Sequence, residues 1–258
     1  MFTDADVVFA PGTLRRALAH GLAERLDFLA ASPEIRRTTF WADIAKGAFG
    51  VEFLLWMRPH RAGDPASGAF IGVGAFNLVR RAALERTPGF AWLRMEVADD
   101  IGLGLMLKRS GARCGFVVGI DAIATDWYAG LGDVLRGLEK NLFGGAVRYS
   151  YARLALLGAL YAAFALGLAL ALSGAAGPWA LGLALGAAAL HAVLSVVGAR
   201  LARAPVLEGL LLPVGTVFVG IALLRSAWRC WRQGGITWRG TFYPLAELRA
   251  GRRVALGP

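Results

Sequence analysis

The sequence contains only two cysteines and three histidines among its 258 residues. Cys114 and Cys230 lie far apart and match neither a disulfide framework nor the paired spacing of a zinc site. Acidic residues are also scarce, since 18 Asp and Glu stand against 28 Lys and Arg and leave a net charge of +10. These scarcities exclude a disulfide-rich secreted scaffold and a cysteine-based zinc module, and they fit a reducing compartment.

The excess positive charge is scattered along the sequence and is not gathered in one basic stretch. Many arginines flank apolar segments, which is where positive charge lies on the cytoplasmic side of a membrane. Anionic lipid headgroups or a phosphorylated substrate account for the charge equally well. We therefore expect a membrane as a partner and no nucleic acid.

Apolar residues make up 57% of the chain, whereas a typical soluble domain has about 45–50%. The excess begins at Leu154, because residues 1–150 have the mixed composition of a soluble domain. We therefore divide the chain into a cytoplasmic domain at 1–150, a membrane region of two to three apolar helices at 151–232, and a basic tail at 233–258.

Three apolar runs fill the membrane region. The uncharged runs 154–172 and 179–199 are each long enough to cross a bilayer. The third run, 206–224, contains Glu208 near its start and Pro213 inside it. Three full crossings would place the arginine-rich tail outside, against the positive-inside tendency. The third run is therefore predicted to be re-entrant or broken at Pro213.

Hydrophobic spacing predicts the elements of the first domain. Apolar residues at intervals of three and four predict a helix over 12–31. The aromatic-rich segment 40–57 is too short and too interrupted to cross a bilayer. It is interpreted as an amphipathic helix at the membrane interface, with a core helix as the alternative. A buried strand is predicted at 75–79 and a further strand at 113–120.

The segment Met95–Gly111 carries the most specific pattern of the domain. Asp99 and Asp100 precede an apolar run that ends in two basic residues and a glycine, which is typical of a complete helix. A carboxylate at a helix N-terminus stays ionised at neutral pH and is a plausible base held on a rigid element. The alternative is an ordinary cap with acidic residues in the first turn.

Two further patterns accompany this helix. Asp4 and Asp6 are spaced i, i+2, so an extended segment points both side chains the same way. Two such carboxylates can hold a divalent cation that carries the diphosphate of a sugar nucleotide, and a solvated turn is the alternative. Gly72 and Gly74 form a tight turn or allow a backbone to approach a ligand closely.

Taken in order, these segments resemble the membrane-bound family 2 glycosyltransferases, which have a GT-A fold. The closest similarity is to the lipid- and terpenoid-directed members, namely ceramide glucosyltransferases, hopanoid-associated enzymes and carotenoid glycosyltransferases. The resemblance rests on the three C-terminal apolar runs and on the segments Phe2–Asp6, Gly72–Arg81, Ala98–Asp100, Gly137–Asn141 and Ile236–Pro244.

The resemblance implies an α/β fold, in which a partial GT-A (Rossmann-like) domain is followed by C-terminal transmembrane helices. It also implies an inverting transfer of a sugar from a nucleotide-sugar donor, a UDP-sugar, to a lipid or terpenoid acceptor. Asp100 would be the general base and Asp99 would orient Asp100 or the acceptor, while Asp4 and Asp6 would bind the donor and its Mg²⁺ or Mn²⁺. The remaining implied residues are Lys140 on the donor diphosphate and Gly72, Gly74 and Trp92 on the acceptor side.

Two departures from the family pattern shape the expectations. Gly137 and Asn141 replace the first and last residues of the family's Gln-x-x-Arg-Trp motif, so Lys140 alone keeps the cation. Family members also have a nucleotide-binding half before the Asp-x-Asp strand. We therefore expect this chain to be N-terminally truncated, and an enzyme without this half could be inactive. The alternative function is a non-catalytic membrane scaffold or a remnant of such an enzyme. In either case we expect an integral protein of a bacterial-type inner membrane.

Overall fold

The computed structural model describes residues 1–238 and 240–254, so Arg239 of the segment Ile236–Pro244 lies outside the described residues. The helices are α1 Thr13–Ala23, α2 Phe40–Met57, α3 Arg81–Glu85, α4 Asp99–Arg109, α5 Leu131–Gly145, α6 Tyr151–Leu172, α7 Pro178–Ala202, α8 Val206–Leu210, α9 Leu212–Gln233 and α10 Leu245–Gly251. The strands are β1 Val8–Phe9, β2 Phe28–Ser32, β3 Glu34–Ile35, β4 Asn77–Val79, β5 Cys114–Val118, β6 Ile123–Thr125, β7 Gly235–Trp238 and β8 Thr241–Pro244. Short 3₁₀ turns cover Pro59–Arg61 and Phe90–Leu93.

The strands form small mixed sheets, which agrees with the predicted α/β class. In the first sheet β2 lies between β4, which is antiparallel to it, and β5, which is parallel. In the second sheet β6 lies between antiparallel β1 and parallel β3. A bridge between Phe2 and Asn77 ties the start of the chain to β4, so the N-terminal residues lie beside the first sheet.

Helix α4 covers the first sheet with an almost entirely apolar face. Its residues Met106 and Leu107 are fully buried together with Phe28 of β2. The predicted features of this helix are confirmed: Asp99 opens it, Arg109 is in its last turn, and Gly111 follows with a φ of 79°. A left-handed residue just past the last turn is a common way to end a helix.

The predicted helix over 12–31 is wrong in its second half. Helix α1 ends at Ala23, Arg25 takes a left-handed φ of 53°, and β2 begins at Phe28. The segment from Phe28 to Ala31 is buried at every position, because it is the central strand of the first sheet. A short, continuously apolar strand cannot be distinguished from the end of a helix by spacing alone.

Helix α2 has the predicted bounds 40–57 and belongs to a helical layer with α5 and α9. Small residues of α2, among them Ala42 and Ala45, are buried against Phe143 of α5 and Ala222 of α9. Gly215 of α9 has no room for a side chain, since a Cβ there would lie 2.5 Å from the Ile44 carbonyl oxygen. The opposite face of α2 stays exposed and carries Phe40, Trp41, Val51, Leu54, Leu55 and Trp56.

Among the described residues, two helices are long and apolar enough to cross a membrane, judged by length and composition: Tyr151–Leu172, and α7 over Pro178–Arg200. Their side chains are largely exposed, and a helix that is hydrophobic all round needs either a protein core or lipid around it. The third predicted run divides at Leu211, two residues before Pro213, into α8 and α9. Because α9 packs on α2 and α5, it belongs to the helical layer.

Candidate functional site

The N-terminus of α4 holds the predicted base. Both carboxylate oxygens of Asp100 accept backbone hydrogen bonds, one from the Gly74 N–H at 2.8 Å and one from the Ile101 N–H at 2.8 Å. Asp99 is exposed, and its Oδ1 accepts from the Asp100 N–H at 3.1 Å. The Asp100 carboxylate is therefore fixed by the fold, whereas the Asp99 carboxylate beside it faces solvent.

Asp4 reaches the same place from the start of the chain. Its N–H donates to the Gly74 carbonyl at 2.9 Å. A Cβ built on Gly74 would overlap the Oδ2 of Asp4 and lie 3.5 Å from the Oδ2 of Asp100. The two carboxylates therefore flank the bare Cα of Gly74.

Gly72 has a different reason to lack a side chain. A Cβ at Gly72 would overlap the carbonyl oxygen of Asp100, and one at Gly104 would overlap the carbonyl oxygen of Ile71. The backbone of the segment 71–74 therefore lies directly against α4. This close approach brings the Gly74 N–H within reach of the Asp100 carboxylate.

Asn77 holds this turn in shape and was not singled out by sequence reasoning. Its side-chain amide donates to the Val73 carbonyl at 2.8 Å and accepts from the Val73 N–H at 3.1 Å. Asn77 is buried, and Thr3 adds a hydrogen bond to the Ala75 carbonyl at 2.8 Å. An Asn at the first position of a strand, three residues after a Gly-x-Gly turn, is the available sequence signal.

The environment of Asp100 raises the pKa of its carboxyl group to about 6. Burial is the largest cause, because it disfavours the charged form. The negative charges of Asp99 and Asp4 raise the pKa further, while the N–H groups of Ile101 and Gly74 oppose the rise. A carboxyl group with this pKa is mostly ionised at neutral pH and can still accept a proton during a reaction.

Asp6 lies on the turn that follows Asp4 and faces a different neighbour. Burial raises the pKa of the Tyr128 hydroxyl to about 12, and the Asp6 carboxylate adds to this rise. Tyr128 in turn fills the space over Gly137 of α5, where a Cβ would overlap the phenol ring. Sequence reasoning did not select Tyr128, although the glycine within an amphipathic helix could have indicated a large partner.

Lys140 lies one turn beyond Gly137 on α5, on the same side of the helix. Its ammonium group is 4.6 Å from the centre of the Trp238 ring, which is a favourable cation–π distance. The neighbouring Asn141 has a buried Oδ1 without a hydrogen-bond partner among the described residues. The segment predicted to contact the donor diphosphate therefore faces the β7–β8 hairpin.

Trp92 lies in the 3₁₀ turn before α4. The guanidinium groups of Arg109 and Arg253 are 6.0 Å and 5.4 Å from the centre of its ring. Arg109 is in the last turn of α4, whereas Asp100 is in the first, and about 13 Å of helix axis separates the two positions. The structure thus brings together Asp4, Asp99, Asp100, Gly72 and Gly74, and it places Trp92 among arginines.

The carboxylates of the site can hold a divalent cation only if the substrate and water supply its remaining ligands. Among the described residues there is no group of three or more His, Cys, Asp or Glu side chains that could hold a metal ion. Mg²⁺ is commonly bound by one or two carboxylates together with substrate phosphates and waters. Asp4 and Asp6 on an exposed turn meet that requirement, provided that the diphosphate supplies the other oxygens.

The chain was compared with family models, with curated proteins and with solved structures. The family model described as Glycosyl transferase family 21 matches residues 1–253. No curated protein and no solved structure matches the chain. The matched range includes the carboxylates at Gly74, the helical layer, the two apolar helices and the β7–β8 hairpin.

Proposed function

This chain belongs to glycosyl transferase family 21, and we propose that it transfers a sugar from a nucleotide-sugar donor to the hydroxyl group of a lipid or terpenoid at a membrane. The observation that carries the proposal is the position of the Asp4 and Asp100 carboxylates on either side of Gly74. One carboxylate belongs to the Asp-x-Asp pair and the other lies in the first turn of α4, as expected if donor and acceptor meet there.

We assign the role of general base to Asp100. In a single in-line displacement, the acceptor oxygen forms a bond to the anomeric carbon as the bond from that carbon to the diphosphate oxygen breaks. The acceptor proton passes to Asp100, and the bonding electron pair leaves with the nucleoside diphosphate, which inverts the anomeric configuration. With a pKa of about 6, Asp100 is about nine-tenths ionised at pH 7 and is well matched to this task.

The other carboxylates contribute charge. Positive charge develops on the sugar ring as the leaving group departs, and nearby fixed carboxylates stabilise it. Asp4 and Asp6 are the residues that would hold Mg²⁺ or Mn²⁺, which supplies countercharge to the diphosphate when bound. Lys140 would add a point charge on the same group, with Trp238 fixing the direction of its side chain.

The surroundings support a membrane-bound acceptor. Helices α6 and α7 have the length and hydropathy of spanning helices, with 18-residue windows of mean hydropathy 2.2 and 2.1. The exposed face of α2 adds Leu55 and Trp56 to the apolar surface. We propose that this surface keeps the hydrocarbon part of the acceptor in lipid, while its hydroxyl group reaches Asp100.

The proposal is tested with Asp100→Asn in the full chain, purified in detergent. We expect transfer from UDP-glucose to an extracted membrane lipid to fall by about 10²- to 10⁴-fold, the contribution of a general base. Binding of UDP-glucose with Mn²⁺ should stay within a few-fold of the unsubstituted chain. Asp133→Asn, which changes an exposed carboxyl on α5, is the matched control and should retain activity.

Two results would overturn the assignment in different ways. Full transfer by Asp100→Asn would remove Asp100 from the role of base. Failure of the unsubstituted chain to bind any nucleotide-sugar in the presence of metal would instead favour the non-catalytic membrane scaffold.

A further inference from the structure

Two exposed aromatic side chains meet beside the carboxylate site, and we refer to Phe2 and Phe90 as the aromatic pair. Their rings pack edge to face with centres 5.2 Å apart. Phe2 is 38% exposed and Phe90 is 50% exposed. A single exposed apolar side chain is common on proteins, but two that meet next to a candidate site form an apolar surface that a ligand can cover.

The backbone places Phe2 on the same side as Asp4. The Phe2 N–H donates to the Asn77 carbonyl at 2.9 Å, and the Asp4 N–H donates to the Gly74 carbonyl at 2.9 Å. Residues two apart in such an extended stretch project to the same side. The aromatic pair therefore adjoins the Asp4 carboxylate, which lies at Gly74 together with the Asp100 carboxylate.

The residues assigned to the donor follow Asp4 in the chain. Asp6 is in the next turn, near Tyr128, and the Tyr128 ring lies on α5, the helix that carries Lys140. The aromatic pair is instead formed by the residues before Asp4 and by the 3₁₀ turn Phe90–Leu93 that precedes α4. The polar residues suit a charged diphosphate, whereas the aromatic pair suits an apolar group.

The turn that carries Phe90 is held in place from its other side. Leu93, the last residue of the turn, is buried in the core beneath α4. Glu96 accepts hydrogen bonds from the backbone N–H groups of Arg253 and Val254 at 2.7 Å and 2.8 Å. The Arg253 side chain also donates to the Trp92 carbonyl at 3.3 Å. The C-terminal segment thus fixes this turn, while the ring of Phe90 stays accessible.

The same C-terminal segment connects the turn with the start of α6. Arg252, the neighbour of Arg253, donates to the Arg148 carbonyl at 3.0 Å. Three residues after Arg148, Tyr151 begins α6, which is long and apolar enough to cross a membrane. A continuous series of contacts therefore runs from the start of α6 through the C-terminal segment and the 3₁₀ turn to the aromatic pair.

We propose that the aromatic pair binds the apolar part of the acceptor next to its reacting hydroxyl group, so that Phe90 helps to select the acceptor. This inference rests on the proposed function and deepens it. Aromatic side chains bring a large apolar surface to a contact at little cost in flexibility. The contact is assigned to Phe90 and not to Trp92, because the guanidinium groups of Arg109 and Arg253 lie over the Trp92 ring.

The first experiment measures binding and does not require transfer. A long-chain primary alcohol with a diazirine close to its hydroxyl group is photolysed with the full chain in detergent, and the labelled peptides are mapped by mass spectrometry. We expect label within residues 88–98 that excess unlabelled alcohol removes, and we expect Phe90→Ala to lower it by about fivefold, since an apolar contact is lost. Leu18→Ala on α1 removes a side chain of similar exposure, 46%, and should keep the label. Label confined to other segments, or equal label in Phe90→Ala, would overturn the inference.

The second experiment separates this inference from the proposed function. In transfer from UDP-glucose to an extracted membrane lipid, Phe90→Ala should raise the KM for the lipid by about five- to tenfold and leave the KM for UDP-glucose unchanged. Phe90→Tyr keeps the ring and should restore the KM for the lipid, which a role in folding alone would not explain.

The two proposals fail in different ways. Label on the turn without transfer by the unsubstituted chain would overturn the proposed function and leave the binding of an apolar alcohol standing. Transfer in which Phe90→Ala leaves the KM for the lipid unchanged, or raises both KM values equally, would overturn the role of the aromatic pair alone.

Discussion

The carboxylate site and the α6–α7 pair are built in opposite ways. At the site, backbone contacts set each position: Gly72 lies against the Asp100 carbonyl, and Gly74 separates two carboxylates. In α6 and α7 the side chains are largely exposed, and few contacts define any one of them. The sequence of the carboxylate site therefore sets the positions of individual atoms, whereas the sequence of α6 and α7 sets an apolar surface suited to apolar surroundings.

The largest effect we expect comes from placing charges on the apolar surface of α6. Leu160→Lys with Ala163→Lys places two charges near the middle of α6, at exposed positions. If α6 spans a bilayer, each lysine costs about 3 kcal/mol of insertion free energy, and the chain should become extractable from membranes by alkaline carbonate. Leu14→Lys with Leu22→Lys on the exposed face of α1 is the control, and equal extraction of both variants would contradict a spanning α6.

The next effect concerns the close backbone packing at the carboxylate site. In Gly72→Ala the added Cβ would overlap the Asp100 carbonyl oxygen, and overpacking of this kind costs about 1–3 kcal/mol. The free energy of unfolding in urea should fall by that amount, and transfer activity should fall with it. Gly21→Ala on α1, where a Cβ meets nothing within 4 Å, should keep or increase stability; a loss as large as that of Gly72→Ala would contradict the argument.

A smaller effect concerns pH. Because the raised pKa of Asp100 is about 6, the base is protonated below that pH, and kcat/KM should fall by about tenfold between pH 7 and pH 5. The Asp99 carboxylate contributes to the raised pKa, so Asp99→Asn should move the acid limb of the profile to lower pH. An unmoved limb in Asp99→Asn, with Asp64→Asn as the remote control, would show that another group titrates.

The smallest effect belongs to Lys140. Lys140→Gln should raise the KM for the nucleotide-sugar by about three- to tenfold, which corresponds to the ~1 kcal/mol that a typical hydrogen bond contributes. The kcat should change little, because Asp100 and Asp4 keep their positions. Arg136→Gln on the same helix removes an exposed cation that pairs with Asp133; an equal rise in KM there would reduce the role of Lys140 to general charge.

The sequence predicts those elements whose signals are local. Helix α4 is recognisable because acid at its start, base at its end and a glycine beyond it all lie within one segment. The bounds 40–57 of α2 follow from one aromatic-rich run. Strand β2 escapes prediction because its apolar residues become a strand only through pairing with β4 and β5.

The candidate site divides in the same way. Residue types and spacing single out Asp4, Asp99 and Asp100, since paired carboxylates are visible in the sequence. That Asp4 and Asp100 meet at Gly74, or that Tyr128 lies near both Asp6 and Gly137, depends on how separate segments pack. Asp4 is 70 residues from Gly74, and Asp6 is 122 residues from Tyr128. The motif-based prediction of a glycosyltransferase family is confirmed, and the family whose model matches is family 21. The specific relatives, the truncation, the donor, the inverting mechanism and the metal stay predictions.

The paired apolar helices have a consequence for where a product would accumulate. A short connection at 173–177 makes α6 and α7 antiparallel, and Arg203 after α7 bonds Asp121 of the first domain at 2.8 Å. The two outer ends of the hairpin therefore lie on the side of the first domain. If the hairpin crosses a bilayer and the chain transfers a sugar as proposed, the sugar is added in the leaflet on the side of the first domain, and glycosylated lipid reaches the opposite leaflet only through a separate flipping step.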